Sequence, residues 1–158
     1  MSDAIQNLLT SVKTVPKNSL WDGTPNEWVR NLGTVRSAKL AQDMVLLLVN
    51  GAPASTYASG YKVITGDSRI EIKLATLGHM GSATAFMWQG IDMSGDFTHL
   101  CFIAIYPSDA RMFVVPRSDM DITSMSKLKG LDNKYQLTTK KINDLFPWMV
   151  RHEIAGAP

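Results

Sequence analysis

The residues best suited to chemistry lie in the short stretch Arg69-Ile70-Glu71-Ile72-Lys73. Because alternate side chains of a β-strand point to the same face, Glu71 and Lys73 project together while Ile70 and Ile72 enter a core. A carboxylate binds a hard divalent cation through oxygen, and a nearby ammonium group can hold a water molecule or stabilise charge on a phosphate. The pair therefore suits hydrolysis of a phosphodiester bond, although the same pattern is also typical of a solvated strand face.

The flanking segments predict the strands that position this pair. Gly60–Thr65 and Ile70–Ala75 alternate as two strands of a hairpin, with Gly66-Asp67-Ser68 as the turn between them. Further strands are predicted at 86–91, 99–106 and 111–115, which makes a sheet of about five strands.

Helix signals lie on both sides of these strands. A short helix is predicted at Ala4–Val12, and Thr24-Pro25-Asn26-Glu27 reads as an N-cap, an initial proline and a capping-box glutamate. Apolar residues at helical spacing predict a core-packing helix from about Thr34 to Val49, ended by Asn50-Gly51. A last helical segment is broken or started at Pro147.

The order of these elements, a helix followed by a hairpin with an acid-x-lysine strand and then further strands, resembles that of the PD-(D/E)XK nuclease superfamily. Within the superfamily it resembles the small type II restriction-endonuclease-like proteins. The resemblance runs from about residue 36 to about residue 117 and includes Gln89 in an aromatic-x-Trp-Gln setting. It implies an α/β fold, with a restriction-endonuclease-like mixed sheet flanked by helices. The whole chain, 1–158, is expected to be one domain with its core at about 34–117 and a basic, helical C-terminal extension at 118–158.

The resemblance also implies a function, that of a magnesium-dependent DNA endonuclease. Glu71 and the Ile72 carbonyl would bind Mg²⁺, Lys73 would orient or activate the attacking water, and Gln89 would support the site by hydrogen bonding. The implied substrate is double-stranded DNA. A homodimer is expected, because relatives that cut both strands commonly dimerise.

One position departs from the family pattern. The first acid of the family stands on the preceding strand in a Gly-Tyr-Asp-like setting, and here that setting reads Gly60-Tyr61-Lys62. A lysine cannot ligate magnesium. A two-residue turn would place Lys62 across from Glu71, and in either hairpin register Lys62 shares the face of Glu71 and Lys73.

The missing carboxylate leaves alternatives open. Asp43, on the helix before the hairpin, is a candidate metal ligand, but its spacing also suits an exposed ion pair with Lys39. Asp67 has the right parity but better suits the turn. If no acid completes the site, the chain is a catalytically impaired nuclease-fold protein that binds DNA or a protein partner, or a subunit whose site is completed by a partner.

Lysines could supply contacts to DNA phosphates. The net charge is only +2, so affinity for nucleic acid would have to come from local clustering. A run rich in lysine follows the last predicted strand. It is either a surface that contacts phosphates or a surface that keeps the protein in solution. The candidate DNA-binding residues are Lys62, Lys127, Lys129, Lys140 and Lys141.

Other chemistries find little support. The single cysteine, Cys101, stands in an apolar run and is expected to be buried, and the three histidines lack zinc-ligand spacing. Trp88 is predicted to be a core residue in preference to a base-stacking one. No signal-peptide pattern or membrane-length apolar run is present, so we expect a soluble, cytoplasmic protein that does not enter a membrane.

Overall fold

The strand that carries Glu71 and Lys73 belongs to the largest sheet of the protein. The computed structural model describes residues 20–55, 60–80, 83–141 and 144–154. In these residues the strands are, in chain order, β1 (Ala52–Pro53), β2 (Val63–Thr65), β3 (Ser68–Thr76), β4 (Gly78–Met80), β5 (Ala83–Ala85), β6 (Met87–Asp92), β7 (His99–Ile105), β8 (Ala110–Pro116), β9 (Ser126–Lys127) and β10 (Lys134–Thr138).

The largest sheet is a five-stranded mixed sheet with the strand order β1-β2-β3-β7-β8. β3 and β7 are parallel, and the other neighbouring pairs are antiparallel. β3 is the central strand of this order, with β2 on one side and β7 on the other. The expected α/β class with a mixed sheet of five strands is therefore confirmed.

The predicted hairpin is present, with a two-residue turn at Gly66-Asp67. Thr65 pairs with Ser68, and Gly66 has a φ of 55°. A positive φ at the first turn residue matches the right-handed twist of the strands and favours glycine there. Ile70 and Ile72 are 1% and 9% exposed, as their alternation predicts.

A second sheet has the order β6-β10-β9 and lies partly in the C-terminal region. The pairing of β6 with β10 changes register between Tyr135 and Leu137. The extra residue is in β6, at the position of Gly90, whose φ is 65°. The extra residue at this bulge lets Trp88 and Ile91 both point into the core, where both are fully buried.

Two expectations are corrected by this second sheet. The strand predicted at 86–91 runs from Met87 to Asp92 and pairs with β10, so it does not join the main sheet, whose fifth strand is β1. The extension at 118–158, expected to be helical, contains one short helix at Pro147–Val150 and also contributes β9 and β10. Leu137 is fully buried, so burial of this segment against β6 outweighs its polar composition.

In the part of the chain that the structure describes, helices are fewer than the prediction of a helix-flanked sheet implied. The predicted core-packing helix is present as α1 (Thr34–Leu48), and it lies against β2 and β3. α2 (Pro147–Val150) begins at the proline, as predicted. Among the described residues, no helix has the length and apolar character needed to span a membrane.

The helix predicted after Thr24 is instead a 3-10 helix at Glu27–Asn31. The Thr24 hydroxyl donates a hydrogen bond to the Trp21 carbonyl and does not cap the helix. Glu27 accepts a hydrogen bond from the Gly23 amide, so both capping residues stabilise a turn. The helix predicted at Ala4–Val12 lies outside the described residues.

The core contains the residues of β7 and the side chains that cover them. Cys101 is fully buried, as predicted, and burial raises the pKa of its thiol to about 12, so the thiol stays protonated at neutral pH. Trp88 is also fully buried, and its indole N–H donates a 2.9 Å hydrogen bond to the Ile103 carbonyl. The prediction that Trp88 is a core residue is confirmed.

A bidentate ion pair fixes residues after α2 to the edge of β8. Arg111 donates from Nε and from its terminal nitrogen to the two carboxylate oxygens of Glu153, each at 2.7 Å. These hydrogen bonds from Arg111 lower the pKa of Glu153. Glu153 also forms a β-bridge with Phe113, so the ion pair supports a backbone contact.

We expect Glu153→Gln to be less stable than wild type by about 1 kcal/mol at pH 7, because it loses a charge-assisted pair. Because the folded pKa of Glu153 is lowered, the pair stabilises the fold above the ordinary pKa of a glutamate. This stabilisation is lost as the pH falls through the folded pKa. Urea unfolding at pH 7 and pH 3 should therefore show a difference in stability that is smaller at the acid pH. Asp132→Asn, at an exposed pair with Lys127, is the control expected to show no difference.

Candidate active site

Glu71 and Lys73 project together from β3, as their spacing predicts. Glu71 is 8% exposed, and its Oε1 accepts a 2.8 Å hydrogen bond from the backbone N–H of Ile72. Lys73 Nζ lies 3.9 Å from the same oxygen. A buried carboxylate requires such partners, because its charge has lost most of its water.

The backbone beside Glu71 forms an unpaired strand edge. β2 pairs with β3 only from Ser68 to Ile70. The Leu77 amide, just after β3, donates a hydrogen bond to β7, and the Ile70 carbonyl accepts one from the Lys62 amide on the opposite side of the strand. Backbone groups of successive residues in a strand point to opposite sides. Those of Ile72 therefore point to the same side as the Ile70 carbonyl, away from β7, where no strand pairs with them. Glu71 satisfies the Ile72 N–H, and the Ile72 carbonyl faces the open edge.

A cavity of about 380 Å³ lies between this edge and α1. Three lysines line it, Lys39 from α1, Lys62 from the start of the hairpin and Lys73 from β3. The side-chain amide of Gln42 donates a 2.9 Å hydrogen bond to the Lys62 carbonyl, which ties α1 to the hairpin. The open edge of β3 is therefore reached through a basic cavity.

Lys62 does not form the ion pair with Glu71 that a regular hairpin register would allow. The two-residue turn is present, but regular pairing stops at Val63 and Ile70. The Lys62 amide donates to the Ile70 carbonyl, so the chain leaves the ladder before Lys62 is opposite Glu71. Among the described residues, the ion-pair partner of Glu71 is Lys73, and the Lys62 side chain is exposed.

The two acids considered as replacements for the missing carboxylate lie elsewhere. Asp43 forms an ion pair with Lys39, one helical turn earlier, and its side chain is 49% exposed. Asp67 is exposed in the hairpin turn. Within the described ranges, no three Asp, Glu, His or Cys side chains are grouped closely enough to hold a metal ion.

Gln89 is not brought to Glu71 and Lys73. It is exposed on β6, and its amide nitrogen contacts the sulfur of Met87 at 2.8 Å. Trp88, next to it, points into the core, so Gln89 projects from the opposite face of its strand. This placement follows from the pairing of β6 with β10, which the sequence did not indicate.

Asp92, at the end of β6, is a charged neighbour of the site that sequence reasoning missed. Hydrogen bonds from the side chain and backbone of Ser94 lower the pKa of Asp92, and attraction to Lys134 and Lys73 lowers it further. Lys134 faces Asp92 across the β6–β10 pair. Lys73 is thus attracted to two carboxylates, Glu71 and Asp92. Only the turn-like Asp92-Met93-Ser94-Gly95 was visible in the sequence, and it says nothing of the distance to β3.

The remaining candidate lysines lie outside the cavity. Lys127, Lys129, Lys140 and Lys141 are all exposed, and Lys127 lies 3.8 Å from Asp132. None of them lines the space between α1 and β3. Their contact with DNA stays a prediction.

Two histidines that are distant in the sequence come together at the end of β7. His152 forms a 2.8 Å hydrogen bond with Asp119, which lowers the pKa of that carboxyl. Burial lowers the pKa of His99, and the charge of His152 lowers it further. The hydrogen bond between His152 and Asp119 links the residues after α2 to those that follow β8.

The comparison with protein-family models finds no match for this chain, and the comparison with curated proteins finds no significant similarity.

Proposed function

We propose that this protein is a magnesium-dependent DNA endonuclease of the PD-(D/E)XK type, with a restriction-endonuclease-like sheet. One observation carries the proposal. A buried carboxylate, a backbone carbonyl and an ammonium group, from Glu71, Ile72 and Lys73, meet at the unpaired edge of β3 beside a basic cavity. Double-stranded DNA is the proposed substrate and a homodimer the proposed assembly.

The oxygen donors at this edge suit a magnesium site that the substrate completes. Within the described part of the chain, the hydrogen bond and the ion pair of Glu71 are both made by Oε1. Mg²⁺ usually keeps several waters and is bound through one or two carboxylates together with substrate phosphates. Glu71 Oε2 and the Ile72 carbonyl fit that pattern. When bound, the ion would stabilise charge on the phosphate and lower the pKa of its water.

Lys73 has the position of a group that handles the attacking water. Its ammonium lies 3.9 Å from Glu71 Oε1. It is a hydrogen-bond donor only, so it would hold the water through an oxygen lone pair and stabilise negative charge as it forms.

The test is cleavage of supercoiled plasmid with Mg²⁺. We expect Lys73→Ala to reduce cleavage about 100-fold, as loss of a group that acts on the reacting water does. Lys134→Ala is the matched control, because Lys134 also interacts with Asp92 but does not contact Glu71. Lys134→Ala should cleave at the wild-type rate. Full activity in Lys73→Ala would remove Lys73 from the mechanism, and a wild type inactive with Mg²⁺ and Mn²⁺ would refute the endonuclease.

A second candidate function is a catalytically impaired relative that binds DNA or a protein partner. Two observations favour it, since Lys62 stands where the family has its first acid and Lys73 already neutralises Glu71. Such a protein would bind duplex DNA in a gel-shift assay without cutting it under any divalent cation.

A further inference from the structure

The basic cavity has an excess of positive charge at one residue. Of the three lysines that line it, Lys39 is paired with Asp43 and Lys73 with Glu71. Lys62 has no ion-pair partner in the described residues, and its side chain is exposed. An anion entering the cavity would therefore meet the full charge of Lys62.

The backbone holds Lys62 in place. Its amide donates a 2.7 Å hydrogen bond to the Ile70 carbonyl. Its carbonyl accepts from the Ala54 amide and from Gln42 Nε2, each at 2.9 Å. Because the chain is fixed at this point, only side-chain freedom is lost when the ammonium binds a ligand, which favours binding.

A second cavity continues the first. It has a volume of about 490 Å³ and shares Ser37 and Leu74 with the basic one. Its other lining carries no charged side chain and combines apolar residues such as Leu32 and Met87 with Thr34. The two together form a groove that is basic at one end and uncharged at the other, which matches a phosphate joined to a sugar and a base.

We propose that Lys62 binds a backbone phosphate of a nucleic acid strand at the basic end of this groove, with the adjoining nucleoside in the uncharged end. The inference rests on the proposed function for the choice of nucleic acid as the ligand. The residue that replaces the family's first acid then holds substrate, and the bound phosphate lies beside the edge that carries Glu71.

The experiment measures DNA binding without divalent cations, so that no cleavage occurs. Fluorescence anisotropy with a labelled single strand and a labelled duplex compares wild type with Lys62→Gln. We expect Lys62→Gln to bind about tenfold more weakly, and the slope of log K against log salt to fall by about 0.7 for the single strand or 0.9 for the duplex. Lys62→Arg keeps the charge and should bind as wild type.

Arg36→Gln is the matched control, because Arg36 is an exposed cation of α1 that does not line the cavity. It removes the same charge and should leave the affinity unchanged. Equal weakening by Arg36→Gln and Lys62→Gln would show a general effect of net charge and overturn the proposal.

Competition with small ligands tests occupation of the uncharged end of the groove. A deoxynucleoside monophosphate should displace the labelled strand at a lower concentration than inorganic phosphate, because it fills both cavities. Equal potency of the two competitors would refute occupation of the groove by a nucleotide.

Cleavage assays separate this inference from the proposed function. If wild type cuts plasmid but Lys62→Gln binds DNA normally, the phosphate site is refuted and the endonuclease stands. If wild type never cuts but Lys62→Gln binds weakly, the phosphate site stands and the endonuclease is refuted.

Discussion

Glu71→Gln is expected to reduce magnesium-dependent cleavage about a thousandfold, close to complete loss. Among the described residues, Glu71 is the only charged oxygen donor at the open edge of β3, and the substitution removes its charge. It keeps the size of the side chain and an oxygen that can accept the hydrogen bond from the Ile72 amide. The effect should therefore fall on metal binding and catalysis, and calorimetric titration with Mg²⁺ should show weaker binding.

Glu153→Gln is the control for Glu71→Gln, because it also neutralises a carboxylate in contact with a basic side chain. It should cleave at the wild-type rate. Thermal melts of both variants show whether they are folded. Wild-type cleavage by a folded Glu71→Gln would remove this carboxylate from the reaction.

Alanine is the less informative substitution at position 71. The alternation of side chains along β3 alone predicts that Glu71→Ala abolishes cleavage and leaves the fold largely intact. The structure revises this expectation, because Glu71 is 8% exposed and holds the Ile72 amide. Its removal leaves that amide without its partner and Lys73 without its ion pair, at a cost of about 1 to 3 kcal/mol. Loss of activity in Glu71→Ala would mix a catalytic with a structural effect.

Local patterns predicted the central part of the fold well. The alternation at 69–73 placed Ile70 and Ile72 in the core and set Glu71 beside Lys73. Gly66 identified the hairpin turn, and helical spacing identified α1. Each of these features depends on residues close together in the chain, so propensity and periodicity suffice to find it.

Features that depend on distant pairing could not be predicted in the same way. Nothing near Trp88 indicates that its strand leaves the main sheet to pair with β10, and the neighbourhood of Asp92 and Lys73 follows from that pairing. Similarly, the turn predicted the register of Lys62 opposite Glu71, but the hydrogen bond from Lys62 to the Ile70 carbonyl ends the ladder first. Tertiary packing decides both arrangements.

The contact between the two larger sheets gives the largest expected effect on stability. Trp88 of β6 is fully buried, donates to the Ile103 carbonyl of β7, and stacks on Phe86 with ring centres 5.5 Å apart. Its ring also meets Phe102 edge-on at 5.6 Å. One side chain thus joins β6 to the central sheet through both apolar contact and a hydrogen bond.

We expect Trp88→Ala to lower the free energy of unfolding by about 3 to 5 kcal/mol, because it opens a cavity and leaves the Ile103 carbonyl without this donor. Trp28→Ala is the matched control, since Trp28 is 52% exposed; its effect should stay within about 0.5 kcal/mol. Urea unfolding followed by circular dichroism measures both.

The result also decides between core packing and base stacking for Trp88. A side chain that stacked on DNA would weaken binding when removed and barely change stability. Trp88→Ala should instead be much less stable, and its folded fraction should bind DNA as wild type does.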